Sequence, residues 1–144
     1  MKTLVAWLST ALIATGACTL DYEPDVGPEL LVVGCDNSDS DPNVGVSFAH
    51  EVRPLLTRSS GGCSCHGGRQ TSGFDLGSYE SLRRGGLNSG TEIVVPGEPC
   101  SSILTEKLGG TPPFGSRMPL NGPYFEQADV IKVRDWIAEG ALDN

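Results

Sequence analysis

The stretch Gly61-Gly62-Cys63-Ser64-Cys65-His66-Gly67-Gly68 carries the most distinctive chemistry of this 144-residue chain, and the fold has to accommodate it. It places two thiols one residue apart and an imidazole directly after the second. Residues two apart on a helix point to nearly opposite sides, whereas residues three or four apart share a face. Cys63 and Cys65 therefore cannot reach one group from a regular helix. The glycines before them would allow Cys63 to approach from a loop.

A cysteine followed directly by a histidine is typical of a c-type haem site. In such a site a thioether bond at the porphyrin edge holds the adjacent imidazole under the iron, and the usual spacing is C-x-x-C-H. Here the spacing is C-x-C-H, one residue shorter. Because Cys65 and His66 keep the usual relationship, we expect His66 to ligate iron and Cys65 to attach the haem. Two roles stay open for Cys63: a second thioether bond, or a disulfide with Cys35 or Cys100.

The sixth iron ligand can be sought by elimination, because the chain contains one methionine after its first residue and one histidine besides His66. That methionine, Met118, lies between Arg117 and Pro119, and the proline favours an extended backbone at Met118. A rigid extended loop suits a thioether ligand, and Arg117 could pair with a haem propionate. His50 lies near the start of the first predicted helix, where a solvated surface histidine is the more common interpretation.

Residues 1–17 have the pattern of an export signal. Lys2 supplies a positive charge, an apolar stretch runs from Leu4 to Ala14, and two small residues precede Cys18. The stretch is too short to span a bilayer comfortably, so a cleaved signal is expected rather than a membrane helix. The ending resembles a bacterial lipobox, although Thr15 stands where that pattern usually has leucine. This resemblance implies a lipid on Cys18 and a periplasmic or membrane-anchored lipoprotein; otherwise the signal is cut elsewhere and Cys18 is incidental.

The net charge of −8 is unevenly distributed along the chain. Residues 18–47 contain seven acidic residues and no Lys or Arg, whereas residues 48–144 contain eleven acidic and nine basic residues. Together with three prolines, this composition predicts an acidic flexible tether over residues 18–46, with one candidate short strand from Leu30 to Val33. Such a charge makes nucleic acid an unexpected partner, and the membrane is expected to be a partner only through the lipid.

The five cysteines of an exported chain need partners or roles. Cys18 is assigned to lipidation, and Cys63 and Cys65 to the haem motif. Cys35 and Cys100 remain, and we expect them to form a disulfide.

Helical spacing of apolar residues defines one domain over residues 47–144. Ser47 is the expected N-cap of the first helix, which should be kinked at Pro54 or start as a tight turn. The apolar face of this helix consists of Phe48, Val52, Leu55 and Leu56. Two further short helices are expected, one from Ser78 to the turn at Gly85-Gly86 and one from Ser101 to Leu108. The last helix has the clearest apolar face, which consists of Val130, Val133, Trp136 and Ile137.

No alternating strand pattern occurs, so the expected fold is all-α, with three to four short helices and long loops. Helices this short, in a glycine-rich domain of this size, bury little apolar surface by themselves. We therefore expect a metal, several disulfides or a large apolar cofactor to fill the middle of the domain. Trp136 should pack the last helix against the first and could also touch the edge of a haem.

Several motifs, taken in order, resemble a class I cytochrome c domain, closest to the planctomycete-type cytochrome c family. The resemblance covers roughly residues 47–142. It is carried by Phe48 with Cys65-His66, Gly73-Phe74-Asp75-Leu76, Val95-Pro96-Gly97-Glu98, Arg117-Met118-Pro119 and Trp136-Ile137-Ala138-Glu139-Gly140-Ala141. It implies a cytochrome c-like fold around one haem c, with His66 as proximal and Met118 as distal ligand. Gly62 occupies the position of the family's first haem cysteine, and Cys63 comes one place later.

The expected function is single-electron transfer outside the cytoplasm, with redox proteins as partners. An enzyme is not expected, because two axial ligands leave no open iron position and no residues are arranged as acid, base and nucleophile. Two alternatives stay open. Cys63, Cys65 and His66 could bind copper or zinc without haem, together with Met118 or His50. Alternatively, the domain could be a haem-free, disulfide-stapled surface lipoprotein that acts as an interaction module.

Overall fold

A computed structural model describes residues 35–67 and 71–144. Its α-helices are α1, Arg53–Thr57; α2, Tyr79–Arg84; α3, Ile103–Gly109; and α4, Gln127–Ala138. A π-helical turn, Phe48–Val52, precedes α1, and the remaining helical turns, all of the 3-10 type, are Asn37–Asp39, Ser64–His66, Thr71–Gly73, Gly90–Ile93 and Pro99–Ser101. These described residues contain no strand, which confirms the all-α prediction.

Several N-terminal predictions concern residues that the structure does not describe. The export signal over 1–17, lipidation of Cys18 and the strand from Leu30 to Val33 all lie outside the described residues. Among the helices that are described, none is long and apolar enough to cross a membrane.

The first helical segment begins where the sequence predicts. The Ser47 hydroxyl accepts a hydrogen bond from the His50 backbone N–H at 3.2 Å, which caps the helix. Pro54 lies in the first turn of α1. The backbone is π-helical before Arg53 and α-helical from Arg53 onward. The break at the proline is therefore a change of helical type, after a π-helical turn, where the sequence predicted a kink or a tight turn.

The short helices α2 and α3 end at glycines, as predicted. Ser78 and Ser81 cap the start of α2 reciprocally, because each hydroxyl accepts a hydrogen bond from the other residue's backbone N–H. Gly85, with φ of 71°, follows α2, and Gly110, with φ of 96°, follows α3. Because φ values in this region favour glycine, both positions stop their helices sharply. The helix α3 begins at Ile103, two residues later than predicted.

The main core lies between the first helical segment and α4. The ring of Phe48 stacks on Trp136 with centroids 5.3 Å apart and meets Tyr79 edge-on at 5.4 Å. The indole N–H of Trp136 donates to the Leu142 carbonyl at 2.9 Å, so its polar atom is satisfied. The predicted apolar face of α4 is confirmed as buried, and its members are Val130, Val133, Trp136 and Ile137.

Residues 35–46 pack against this domain, which corrects their assignment to the flexible tether. A disulfide joins Cys35 to Cys100. The carboxylate of Glu139 accepts hydrogen bonds from the backbone N–H of Gly45 at 2.6 Å and of Val46 at 2.9 Å. Asp135 accepts one from Asp41 at 2.7 Å. The hydrogen bonds to Glu139 and Asp135 come from the backbone of this acidic stretch, so the charges of its side chains gave no sign of them.

Replacing Glu139 with alanine should lower the free energy of unfolding by about 1.5–3 kcal/mol, the range for a hydrogen bond to a charged group. The substitution leaves the Val46 N–H without its acceptor next to a side chain that is only 2% exposed. Urea denaturation followed by circular dichroism measures the change. Glu139→Gln is the matched control, because its amide oxygen retains one acceptor, and it should cost less. Equal midpoints for the wild type and Glu139→Ala would show that the contact adds no stability.

Candidate cofactor site

The loop before the histidine turns Cys63 inward. The Cys63 backbone N–H donates to the Leu56 carbonyl at 2.6 Å, which ties the loop to the last turn of α1. Gly62 passes directly against the Arg58 backbone, and a Cβ atom at this position would overlap the Arg58 carbonyl oxygen. The side chain of Cys63 is 7% exposed, whereas Cys65 is exposed to solvent. Gly62 is therefore needed for space, and it places the first thiol inside the protein.

His66 ends a 3-10 turn, Ser64–His66, and its ring is held from one side. Its Nδ1 lies 3.3 Å from the Phe74 carbonyl oxygen, and the two rings pack with centroids 5.1 Å apart. Because a carbonyl oxygen can only accept, this contact favours the tautomer with the proton on Nδ1, which leaves the Nε2 lone pair for a metal. The His66 carbonyl accepts from Leu76 at 2.7 Å, which fixes the backbone as well. This is the arrangement that orients a metal-binding histidine.

Met118 lies in a loop that is held against α3, largely through Lys107. The Met118 backbone N–H donates to the Lys107 carbonyl at 2.9 Å. The Lys107 amine donates to the carbonyls of Phe114 and Ser116, and it lies 4.2 Å from the centre of the Phe114 ring. Met118 is outside any helix, as the following Pro119 predicted, and it packs half-buried against the core.

Cys63, His66 and Met118 line the same cavity. The volume of this cavity that is available to the centres of water molecules is about 230 Å³. Its total empty volume, with the open mouth included, is about 870 Å³. The lining is mostly apolar, and its aliphatic and aromatic members include Phe74, Leu76, Ile93, Leu104, Leu108 and Phe114. Leu87 lies at this cavity and is 85% exposed. An apolar side chain so exposed beside an apolar cavity is what a bound apolar group would cover.

The charge around the cavity is low. Of the described residues that line it, none is Asp or Glu, and Lys107 is the one cation. Burial lowers the pKa of the Lys107 amine. Burial also raises the pKa of Cys63 to about 12, with a smaller contribution from Cys65. Cys63 is therefore a neutral thiol at neutral pH, and as a thiolate ligand for a metal it would first have to lose a tightly held proton.

Other predicted site residues lie away from the cavity. Cys65 does not line it, and neither does Trp136, whose ring is fully buried against Phe48 in the main core. Arg117 does not line it either: its guanidinium lies 3.9 Å from the centre of the Tyr124 ring and its Nε donates to a backbone carbonyl of α3. Trp136 thus packs in the main core and does not lie at the cavity. Arg117 contacts the ring of Tyr124 and does not line the cavity.

Two residues at the cavity have no role in the sequence prediction. Lys107 has no predicted role, yet it holds the Met118 loop through both its carbonyl and its amine. Phe74 belongs to a motif quoted for its family resemblance, without a role, and its carbonyl orients His66. Lys107 lies on a short helix whose other residues are largely buried. A lysine in such a position indicates that its amine has a role within the fold.

Replacing Gly62 with alanine should destabilise the protein by about 1–3 kcal/mol, the usual cost of forcing extra volume into a packed region. The added methyl group has no room beside the backbone of Arg58, so the loop that carries Cys63 must shift. Thermal denaturation measures the loss. Gly109→Ala is the matched control, because a Cβ atom there meets no atom within 4 Å, and its melting temperature should not fall. A Gly62→Ala protein that is as stable as the wild type would contradict this account of the loop.

Among the described residues, no group of three or more His, Cys, Asp or Glu side chains is clustered to hold a metal ion. No protein-family model matches this chain, and neither a curated protein nor a solved structure is similar enough to it to count as a match.

Proposed function

We propose that this chain is a c-type haem protein that carries single electrons outside the cytoplasm. One observation supports this most: a thiol, an imidazole and a thioether meet at one apolar cavity, although His66 and Met118 are 52 positions apart (118 − 66). These are the groups that a haem with His/Met ligation and a thioether attachment requires. The resemblance of the sequence motifs to class I cytochrome c domains supports the same proposal.

The residues present fit a haem in chemical character. The cavity is largely apolar, as a porphyrin requires, and no described carboxylate lines it to repel the propionates. Nε2 of His66 keeps its lone pair because Nδ1 donates to Phe74, so the imidazole is prepared to bind iron. Bound haem would supply an iron that cycles between two oxidation states. His66 and Met118 would hold this iron, and a soft thioether ligand would raise its reduction potential.

The arrangement favours electron transfer over catalysis. If His66 and Met118 both held the iron, no ligand position would be left for a substrate. The cavity is open to solvent, so an edge of the bound group would remain within reach of a redox partner protein. The volume and the apolar lining of the cavity suit a porphyrin better than a single copper or zinc ion.

Export to an oxidising compartment is part of this proposal. The Cys35–Cys100 disulfide is typical of proteins that fold outside the cytoplasm. Together with the signal-like residues 1–17 and Cys18, it supports a periplasmic or membrane-anchored lipoprotein whose partners are other redox proteins.

The test is an absorption spectrum of the full-length chain, expressed in a bacterium that matures c-type cytochromes. We expect a Soret band and a reduced α band, and in the oxidised protein a weak near-infrared band from sulfur-to-iron charge transfer. Met118→Ala should abolish the near-infrared band. The control is His50→Ala, which alters the one other described histidine, exposed on the first helical segment, and should leave the band unchanged. A chain without visible absorption would contradict the proposal. A bis-histidine spectrum that is lost in His50→Ala would show that His50, and not Met118, is the second iron ligand.

A further inference from the structure

We infer that the haem is attached to this chain by one thioether bond, formed by Cys63, and that Cys65 lies outside the attachment site. This inference rests on the proposed function and reverses the order in which the sequence ranked the two thiols. Its basis is placement: Cys63 is 7% exposed and lines the cavity with His66 and Met118, whereas Cys65 is exposed and does not line it.

The turn that carries Cys65 is held in place by backbone hydrogen bonds. The 3-10 turn Ser64–His66 is closed by hydrogen bonds from the His66 N–H to the Cys63 carbonyl at 2.9 Å and from the Gly67 N–H to the Ser64 carbonyl at 3.0 Å. The Leu76 N–H and the Phe74 carbonyl fix His66 at the end of the same turn. With the turn held in this way, Cys65 lies on its solvent-exposed side, whereas Cys63 lies at the cavity.

The chain also has no room for a cysteine at the position that the resemblance assigns to the family's first haem cysteine. Gly62 occupies it, and any Cβ atom there would overlap the Arg58 carbonyl oxygen and crowd the aliphatic part of the Arg58 side chain. The thiol one place later, at Cys63, points into the cavity instead. The shortened C-x-C-H motif is thus compatible with the local backbone. It places one thiol at the cavity, whereas a C-x-x-C-H motif would place two there.

The attachment reaction balances without a further reagent. The Cys63 S–H adds across the carbon–carbon double bond of one haem vinyl group. A carbon–sulfur bond forms, the π bond is lost, and the thiol proton passes to the neighbouring vinyl carbon. No electrons are gained or lost overall and no group leaves. The second vinyl group stays unsaturated, because no second thiol reaches it.

Mass spectrometry of the intact wild-type protein, followed by peptide mapping, tests the inference without any substitution. We expect one covalent haem, a modified Cys63, and a Cys65 that reacts with iodoacetamide in the unfolded holoprotein. The alkaline pyridine complex of the haem should show the absorption of a ring that retains one vinyl group. A map with the haem on Cys65, or on both cysteines, would overturn the inference while leaving the proposed function intact.

Two variants extend the test. Cys65→Ala should retain covalent haem at the wild-type level, and Cys63→Ala should lose at least nine-tenths of it under acidified organic extraction. Retention in Cys63→Ala with loss in Cys65→Ala would overturn the inference. Circular dichroism of both variants shows whether either fails to fold, and in that case the wild-type peptide map decides. A wild-type chain that carries no haem at all would overturn the proposed function and this inference together.

Discussion

Replacing His66 with alanine should reduce haem incorporation by at least about tenfold, since even residues that only support a metal ligand change affinity by about 10–100-fold. The imidazole is the one described nitrogen ligand at the cavity whose ring is already oriented, through Nδ1 and the Phe74 carbonyl. Without it, a thioether bond could still tether a haem, but the iron would lose its proximal ligand. We expect the residual protein to show a five-coordinate or water-ligated spectrum.

The measurement is the haem content per polypeptide, obtained from the pyridine complex of the reduced haem, together with the visible spectrum. His50→Ala is the matched control, because it also removes an imidazole, but from the surface of the first helical segment. If both variants retained the wild-type spectrum, neither histidine would be an iron ligand and the cavity would have another role. If only His50→Ala lost it, the proximal assignment would pass to His50.

Local signals allowed much of the fold to be predicted from the sequence. The Ser47 and Ser78 caps and the helix-ending glycines after α2 and α3 act within a few residues, so their chemistry is readable along the chain. The apolar face of α4 follows from helical spacing in the same way. Met118 could be selected because it is nearly unique and because Pro119 restricts its backbone.

The features that could not be predicted depend on contacts between distant residues. Whether Cys63 or Cys65 turns inward is decided by the Leu56 carbonyl and by the closeness of Gly62 to Arg58. The C-x-C-H pattern contains neither contact. Composition likewise showed acidic residues over 18–46 but not that Glu139 and Asp135 would accept hydrogen bonds from the backbone of that stretch.

Trp136 illustrates how this limits the prediction about the core. The sequence predicted that a bound group could fill the middle of the domain and that Trp136 could touch the edge of a haem. Trp136 and Ile137 are fully buried on the side of α4 that meets the first helical segment. The cavity lies elsewhere, among α3, the turn Ser64–His66 and the loop that carries Met118. One side of the hydrophobic core, the cavity half, therefore borders the cavity, and the other, the packed half with Phe48 and Trp136, does not.

Leaving out the haem should consequently destabilise the two halves unequally. In the full-length chain produced without haem-attachment machinery, we expect amide hydrogen exchange to accelerate around the cavity, because local opening costs less free energy where the apolar lining has no bound group to pack against. The affected amides should be those of α3 and of the loop around Met118, since their apolar side chains would border water-filled space.

The amides of α4 and of Phe48–Val52 should stay protected in the same sample, because the contacts of Phe48 with Trp136 and Tyr79 do not involve the cavity. They serve as the internal control for general unfolding. Exchange measured by mass spectrometry on the apo and holo chains separates three results. Faster exchange confined to the cavity half supports the division. Equal protection throughout would show that the bound group adds no stability. Loss of protection in α4 as well would show that the packed half does not fold without the bound group. Its buried apolar surface would then be too small to offset the conformational entropy lost when the chain is ordered.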